Sequence, residues 1–365
     1  MNHISKTLVA AGLISLANCS DQNNPNNPNN PNNPGSTEWS IPKEEVFDGG
    51  PGKDGIPALT TPLMVAASQA TYLKDDDLVI GYKRGNDIRA YPHPILDWHE
   101  IINDEMDGHP ISIIYCPLTG TGTGWERTLN GKVTTFGVSG LLYNSNIIPY
   151  DRLTNSNWSQ IRLDCVNGEL RTQRVETFHT VETTWKTWKE MFPQTKVVSH
   201  QTGFSRNYNN YPYGDYKTNN NSFIFPVTSQ DNRIPNKERV LGVISAETKD
   251  RVKVYRLASF EGENAVKHDN FGSYTLVLAG SKKNNFLVAF DRTLTNGTIL
   301  TFSPTSFSQG LSPVILSDTE GNTWNVFGEA VSGPRTGQKL KPVISFIGYW
   351  FSWGAFYPNP EIFER

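Results

Sequence analysis

Thr184-Trp185-Lys186-Thr187-Trp188-Lys189-Glu190-Met191-Phe192-Pro193 has a counterpart further along the chain, Tyr349-Trp350-Phe351-Ser352-Trp353-Gly354-Ala355-Phe356-Tyr357-Pro358. Trp185 to Trp350 and Pro193 to Pro358 are the same offset, 165 residues. Tryptophan and aromatic-proline pairs are rare, so a shared offset points to an internal repeat rather than to chance. Working upstream, Asn155-Ser156-Asn157-Trp158 is answered by Gly321-Asn322-Thr323-Trp324, and Trp125-Glu126-Arg127-Thr128-Leu129 by Phe290-Asp291-Arg292-Thr293-Leu294. Tyr91 to Gly108 and Tyr255 to Gly272 are both seventeen steps. The pattern predicts an α+β body of two tandem related units, with mainly antiparallel sheets and short helices.

Leu78–Tyr82 and Ile88–Tyr91 read as strands around the turn Arg84-Gly85-Asn86-Asp87. Pro94–Asn103 reads as a helix with Ile95, Trp98, Ile101 and Ile102 on its apolar face. On it His99 and Asn103, and Glu100 and Asp104, would be i,i+4 neighbours. Ile111–Cys116 and Val133–Val138 read as strands, and Val181–Phe192 as a helix. The expected divisions are residues 1–18, 19–38, 39–200 for the first unit, 201–236 for a polar tyrosine-rich insert over the cleft between the units, and 237–365 for a degenerate second unit.

The N-terminus sets the compartment. Lys6 precedes the apolar run Leu8 to Leu16, then Ala17, Asn18 and Cys19. That order describes a secretory signal, and its end resembles a bacterial lipobox. Cleavage before Cys19 would leave a lipidated cysteine, and the absence of aspartate at Ser20 favours the outer membrane over the inner. The plainer reading is an ordinary signal and a soluble periplasmic protein. Four Asn-Asn-Pro units from Asn23 to Pro34 follow. They lack apolar residues and place a proline at every third position, so they read as an extended tether. A net charge of −3 offers no basic face for nucleic acid. Beyond the signal no apolar run is long enough to span a bilayer. Membrane contact is therefore expected through the lipid.

Chemistry-bearing residues concentrate in the first unit. His93, Asp97, His99, Glu100, Asn103 and Asp104 fall between Tyr91 and Asp104, and the strand Ile111–Cys116 then delivers Cys116 to the run Gly120–Gly124. At the offset that aligns Tyr91 with Tyr255, His99 meets Glu263, Asn103 meets Lys267 and Cys116 meets Gly280. The thiol and imidazole are thus dispensable for making the fold.

Several of these stretches are recognisable. Gly49-Gly50-Pro51-Gly52-Lys53-Asp54-Gly55-Ile56-Pro57, Trp98-His99-Glu100-Ile101-Ile102-Asn103-Asp104, Tyr115-Cys116-Pro117-Leu118, Tyr150-Asp151-Arg152 and Tyr211-Pro212-Tyr213-Gly214-Asp215 resemble the bacterial domain of unknown function 3179, from about Ile41 to the C-terminus. The resemblance implies a domain and no activity. Where members of that family often read Cys-Pro-Leu-Cys, this chain has Cys116-Pro117-Leu118-Thr119.

Three readings of the site stand side by side. In the first, Cys116 is a nucleophile activated by His99 and oriented by Glu100 or Asp104, with Asn103 alongside. Backbone N–H groups at Gly120 and Gly122 would cradle an oxyanion or phosphate. In the second, His99 and Cys116, with His93 or Asp151, hold copper or zinc. In the third, Asp151, Arg152, Trp158 and Gln160 form a glycan- or peptide-binding surface without a reactive thiol. The substrate of an enzyme here would be a small molecule or an envelope component. Each reading has a structural counterpart: a Cys116–Cys165 disulfide, a glycine turn, a hydrogen-bonded core histidine, an Asp151–Arg152 ion-pair turn, and a core tryptophan at Trp158.

Overall fold

The strand Leu78–Arg84, apolar from Leu78 to Ile80, turns at Gly85, where φ is +55°, and pairs antiparallel with Asp87–Pro92. This hairpin is the centre of a five-stranded sheet in the order Val181–Thr184, Leu78–Arg84, Asp87–Pro92, Lys196–Val198, Met64–Ala66. Lys196–Val198 runs parallel to Asp87–Pro92. The second half contains the corresponding order Ser345–Tyr349, Arg239–Ile244, Val252–Arg256, Glu361–Ile362, again with its last strand parallel to its neighbour. The computed structural model describes residues 38–305 and 313–364. The signal sequence, Cys19 and the Asn/Pro tether expected over residues 1–37 lie outside the described residues.

Two further sheets in each half follow the same logic. Thr177–Phe178, Thr121–Glu126, His109–Cys116, Ile101–Met106 and Leu59–Thr60 form one in the first half. Lys341–Pro342, Phe286–Asp291, Tyr274–Ser281 and Ala265–Phe271 take the matching order in the second. The third sheet carries Phe136–Tyr143, Asn146–Asp151, Asn157–Ser159 and Asp164–Asn167. Its counterpart carries Phe302–Pro304, Val314–Asp318, Thr323–Asn325 and Ala330–Ser332. Among the described residues the α-helices are short: α1 (His93–His99), α2 (Trp185–Met191) and α3 (Trp350–Phe356). The fold is α+β and mostly antiparallel. No described helix is long and apolar enough to cross a membrane.

The recurring tryptophans have a packing cause. A Cβ at Gly81 would fall 2.2 Å from the Trp188 ring, and a Cβ at Gly242 would fall 2.4 Å from the Trp353 ring. Each sheet leaves a glycine gap that an indole from the following helix fills. Trp158 Nε1 donates to Asp151 Oδ2 at 3.0 Å, and Trp324 Nε1 donates to Asp318 Oδ2 at 2.8 Å. Trp158 and Trp324 are core pillars with their one polar atom satisfied.

Several expected boundaries move. The helix foreseen over Pro94–Asn103 stops at His99, and Ile101–Met106 is a strand paired with His109–Cys116. Ile101 and Ile102 are β-branched and lie opposite Ile114 and Ile113, so sheet packing wins over the helical spacing. The i,i+4 pairs therefore do not exist. Val181–Thr184 is likewise a strand that precedes α2, and Phe136–Tyr143 replaces the strand expected at Val133–Val138. The glycine run is a strand, Thr121–Glu126, entered by a turn at Gly120. Its glycines make room: a Cβ at Gly120 would meet the Tyr349 ring at 2.9 Å, and at Gly122 the Ile80 side chain at 2.4 Å.

The segment 201–236 contains no helix or strand. It is laid across both halves by hydrogen bonds from Tyr211 Oη to Pro117 O (3.2 Å), from Trp98 Nε1 to Asn210 O (3.0 Å) and from Trp350 Nε1 to Asp231 O (2.7 Å). Asn144 Oδ1 accepts from Thr228 N at 2.7 Å, and Ser145 Oγ donates to Phe225 O at 2.9 Å. The halves also meet directly, with Tyr349 N donating to Thr119 O at 2.8 Å.

Candidate functional site

Cys116 ends its strand opposite Thr121 and is fully buried. Its Sγ donates to Ser145 O at 3.5 Å. Burial pushes the thiol up to about 11. Cys165 is also a free, buried thiol, directed at Asn167 O (3.3 Å), so the expected Cys116–Cys165 crosslink is not made.

Glu100 is the hinge between α1 and the first site strand. Its N–H closes the helix on Leu96 O and its carbonyl accepts the Tyr115 N–H, both at 2.8 Å. To do both it takes φ +58° and ψ −34°, a sparsely populated region that costs on the order of 1–3 kcal/mol. The side chain is buried, and Oε2 has no hydrogen-bond partner. Burial pushes this carboxyl up to about 8, so it is protonated at neutral pH.

Sequence reasoning missed the third member, Lys237. It directly follows the inserted segment, where α3 anchors both neighbours: Phe351 N donates to Asn236 O at 3.1 Å and Trp350 N to Glu238 O at 2.9 Å. The Lys237 N–H donates to Asn220 Oδ1 at 2.9 Å. Its Nζ is buried without a hydrogen-bond partner, 3.2 Å from the Tyr216 ring centre, 4.6 Å from Phe351 and 5.0 Å from Phe223. Burial pulls the amine down to about 7, with the neighbouring Cys116 acting the other way. The Tyr216 face also favours the ammonium. The Tyr216 hydroxyl, too, has no partner. Burial raises its pKa, with Cys116 adding to the rise, and Tyr213 is raised by burial with Glu100 and Cys116 adding to it. Cys116 thus lies within electrostatic reach of both Glu100 and Lys237. The only hint in the sequence was the tyrosine density of the insert.

His99 does not join this group. Its Nδ1 is 2.7 Å from Pro57 O, an acceptor only, so Nδ1 carries the proton and Nε2 accepts from Tyr208 Oη at 2.7 Å. Burial lowers its pKa, keeping it neutral. With both nitrogens committed, His99 is a strut between the Pro57 segment and the insert, and it is not hydrogen-bonded to Cys116. His93 packs at a tilt against Tyr115 and faces Glu182 Oε2 at 3.4 Å. The expected copper or zinc set of His99, Cys116 and His93 is therefore not assembled. Among the described residues no group of three or more His, Cys, Asp or Glu is placed to hold a metal.

The remaining candidates make contacts within the fold. Asn103 accepts from Phe136 N (2.8 Å) and Ser112 Oγ (3.2 Å) and donates to Phe136 O (2.9 Å), which ties two sheets together. Asp104 accepts from Arg89 Nη1 at 2.6 Å and Tyr91 Oη at 2.8 Å. Because Arg89 keeps Asp87 as a second partner, Asp104→Asn is expected to cost roughly 2 kcal/mol in urea unfolding. Cys116 reactivity should be unaffected, and a changed reactivity would restore Asp104 to the site. The side-chain faces of Gly120 and Gly122 are filled, since a Cβ would meet Tyr349 at Gly120 and Ile80 at Gly122, and Gly122 is paired opposite Tyr115 in the sheet. Asp151 caps its own turn through Thr154 N (2.7 Å) and holds the buried Trp158. Arg152 donates to Phe136 O (2.8 Å) and pairs with Asp54 (2.6 Å). Gln160 is fully buried in a network with Thr121 and Asn146.

Beside α1 lies an open cleft of about 480 Å³ whose lining includes Asp76, His93, Asp97, Tyr211 and Lys217. Asp97 pairs with Lys217 at 2.8 Å, and burial raises its pKa. Tyr211 forms part of this wall and also reaches the turn after Cys116 through Pro117 O.

A family model described as "Protein of unknown function (DUF3179)" matches residues 53–360. No curated protein and no solved structure matches the chain.

Proposed function

The chain belongs to the DUF3179 family of proteins of unknown function, and from the site it carries we propose that it is a cell-envelope lipoprotein performing thiol-based chemistry on a small molecule or envelope component. One observation supports this reading above the others. The Glu100 Oε2, Lys237 Nζ and Tyr216 hydroxyl are all buried and unpartnered, and each group is close enough to Cys116 for charge on one to be felt by the other. A native core satisfies nearly all its buried polar atoms, so orphaned groups in one place call for a ligand, water or a catalytic role. Cys116 is the nucleophile. Lys237, rather than His99, accepts its proton, and the protonated Glu100 supplies one to the departing group. Cys19 carries the lipid anchor that places the body at the outer membrane.

The test is alkylation of the native chain with iodoacetamide at about pH 8, mapped by peptide mass spectrometry. Cys116 is expected to react while Cys165 stays protected. Lys237→Met should slow the Cys116 reaction about a hundredfold, the size of a general-base contribution. If Cys116 reacts only after unfolding, the thiol is a core residue. A second reading, a glycan- or peptide-binding module, is favoured by the raised thiol pKa, because a neutral thiol is inert at rest. It predicts that Cys116→Ser leaves ligand affinity intact.

A further inference from the structure

We propose that Lys237 is an imine-forming amine that takes an aldehyde or ketone with an apolar body among the rings of Tyr216, Phe223 and Phe351 that surround its Nζ. The inference rests on the same site being a ligand pocket, but not on Cys116 acting as a nucleophile.

Lysines elsewhere in this protein show what a structural one looks like. Lys83 pairs with Glu329 at 2.9 Å, Lys217 with Asp97 at 2.8 Å and Lys253 with Asp269 at 2.6 Å. Lys237 is more buried than a solvated lysine, at 6% exposure, and its amine meets no carboxylate and no hydrogen-bond acceptor. Rings occupy the positions where a counter-ion would stand. Such a setting costs stability if the amine is only structural. It does serve a nucleophile, because desolvation keeps the nitrogen lone pair free. With a pKa pulled down to about 7, roughly half the Lys237 amines are neutral at neutral pH, whereas an exposed lysine is neutral in fewer than about one in a thousand molecules.

The chemistry balances without an oxidant or reductant. The Nζ lone pair attacks the carbonyl carbon, a C–N bond forms, and the carbonyl π pair moves to oxygen. A proton passes from nitrogen to that oxygen to give a carbinolamine. The hydroxyl then takes a further proton and leaves as water, and the nitrogen lone pair forms the C=N bond. The orphaned Tyr216 O–H and the protonated Glu100 carboxyl are the donors within the cluster for that proton. The neighbouring rings favour a carbonyl compound with a flat or apolar body over a small charged one.

The test uses the full chain with benzaldehyde and sodium cyanoborohydride at about pH 7, which reduces any imine to a stable benzylamine. One benzyl group is expected on the peptide carrying Lys237, formed about 10²–10³ times faster than on exposed Lys43 or Lys132. Cys116→Ser should keep this labelling. Lys237→Met and Lys237→Arg should both abolish it, the arginine variant serving if methionine perturbs folding. Labelling confined to surface lysines overturns the proposal, whether or not Cys116 alkylates. Benzylated Lys237 beside an unreactive Cys116 sustains it while ending the thiol reading.

Discussion

Glu100→Gln is expected to gain stability over the native chain as the pH rises. In the folded protein the Glu100 carboxyl ionises near 8, against an ordinary value of 4.5, because burial disfavours its charged form. Between those two values the folded chain keeps a proton that the unfolded chain has released. Native stability therefore falls as pH climbs through that window, and below it both states are protonated and the contribution vanishes. Glutamine cannot ionise, so the substitution removes the slope. The difference between variant and native chain should be near zero at about pH 4 and reach about 4–5 kcal/mol at about pH 9. Guanidinium unfolding at a series of pH values reads it directly. A difference that does not change with pH would mean that Glu100 is solvated or paired, and the protonated acid would be lost from the mechanism. Lys237 titrates in the opposite sense. Its amine is depressed in the folded state, so its unfavourable contribution is relieved as pH rises from about 7 toward the ordinary lysine value.

Gln160→Leu should lose about 4–6 kcal/mol, the sum of several buried groups left unpaired. Gln160 Oε1 accepts from Thr121 Oγ1 and Asn146 Nδ2, both at 2.7 Å, and Nε2 donates to Ile114 O at 2.8 Å and Thr121 O at 2.9 Å. Asn146 in turn reaches Thr119 Oγ1 at 2.9 Å, so one amide anchors the turn that follows Cys116. Leucine matches the volume and satisfies none of these groups. The loss appears in the denaturant midpoint with an unchanged slope if the native state stays compact. A loss below about 1 kcal/mol would instead return Gln160 to the role of a ligand contact.

The fold was largely legible because its signals are local. The hairpin at Gly85 and the apolar strand before Cys116 each carry their meaning within a few residues, and the repeated tryptophans show theirs by a constant offset that needs no knowledge of the fold. The failures share a cause: the deciding partner lies far away in the chain. Ile95, Trp98, Ile101 and Ile102 have helical spacing, yet Ile101 and Ile102 become strand because Ile113 and Ile114 lie opposite. The alternation of Thr and Gly from Thr119 to Gly124 reads as a loop until Ile80, Phe178 and Tyr349 are seen filling the glycine gaps. His99 and Cys116 are close in sequence, but Pro57 O and the Tyr208 hydroxyl claim both nitrogens of the ring. Lys237 has no motif around it. Its significance comes from three rings contributed by residues 216, 223 and 351.

Glu100 and Cys116 come from one side of residues 201–236 and Lys237 from the other, with Tyr216 inside that segment. A protease that clips the segment would leave two polypeptides, neither owning a full set of reactive groups. Co-expression of the two pieces, rather than truncation, is then the way to ask whether they still find each other, with recovery of the amine beside the thiol as the readout of reassembly.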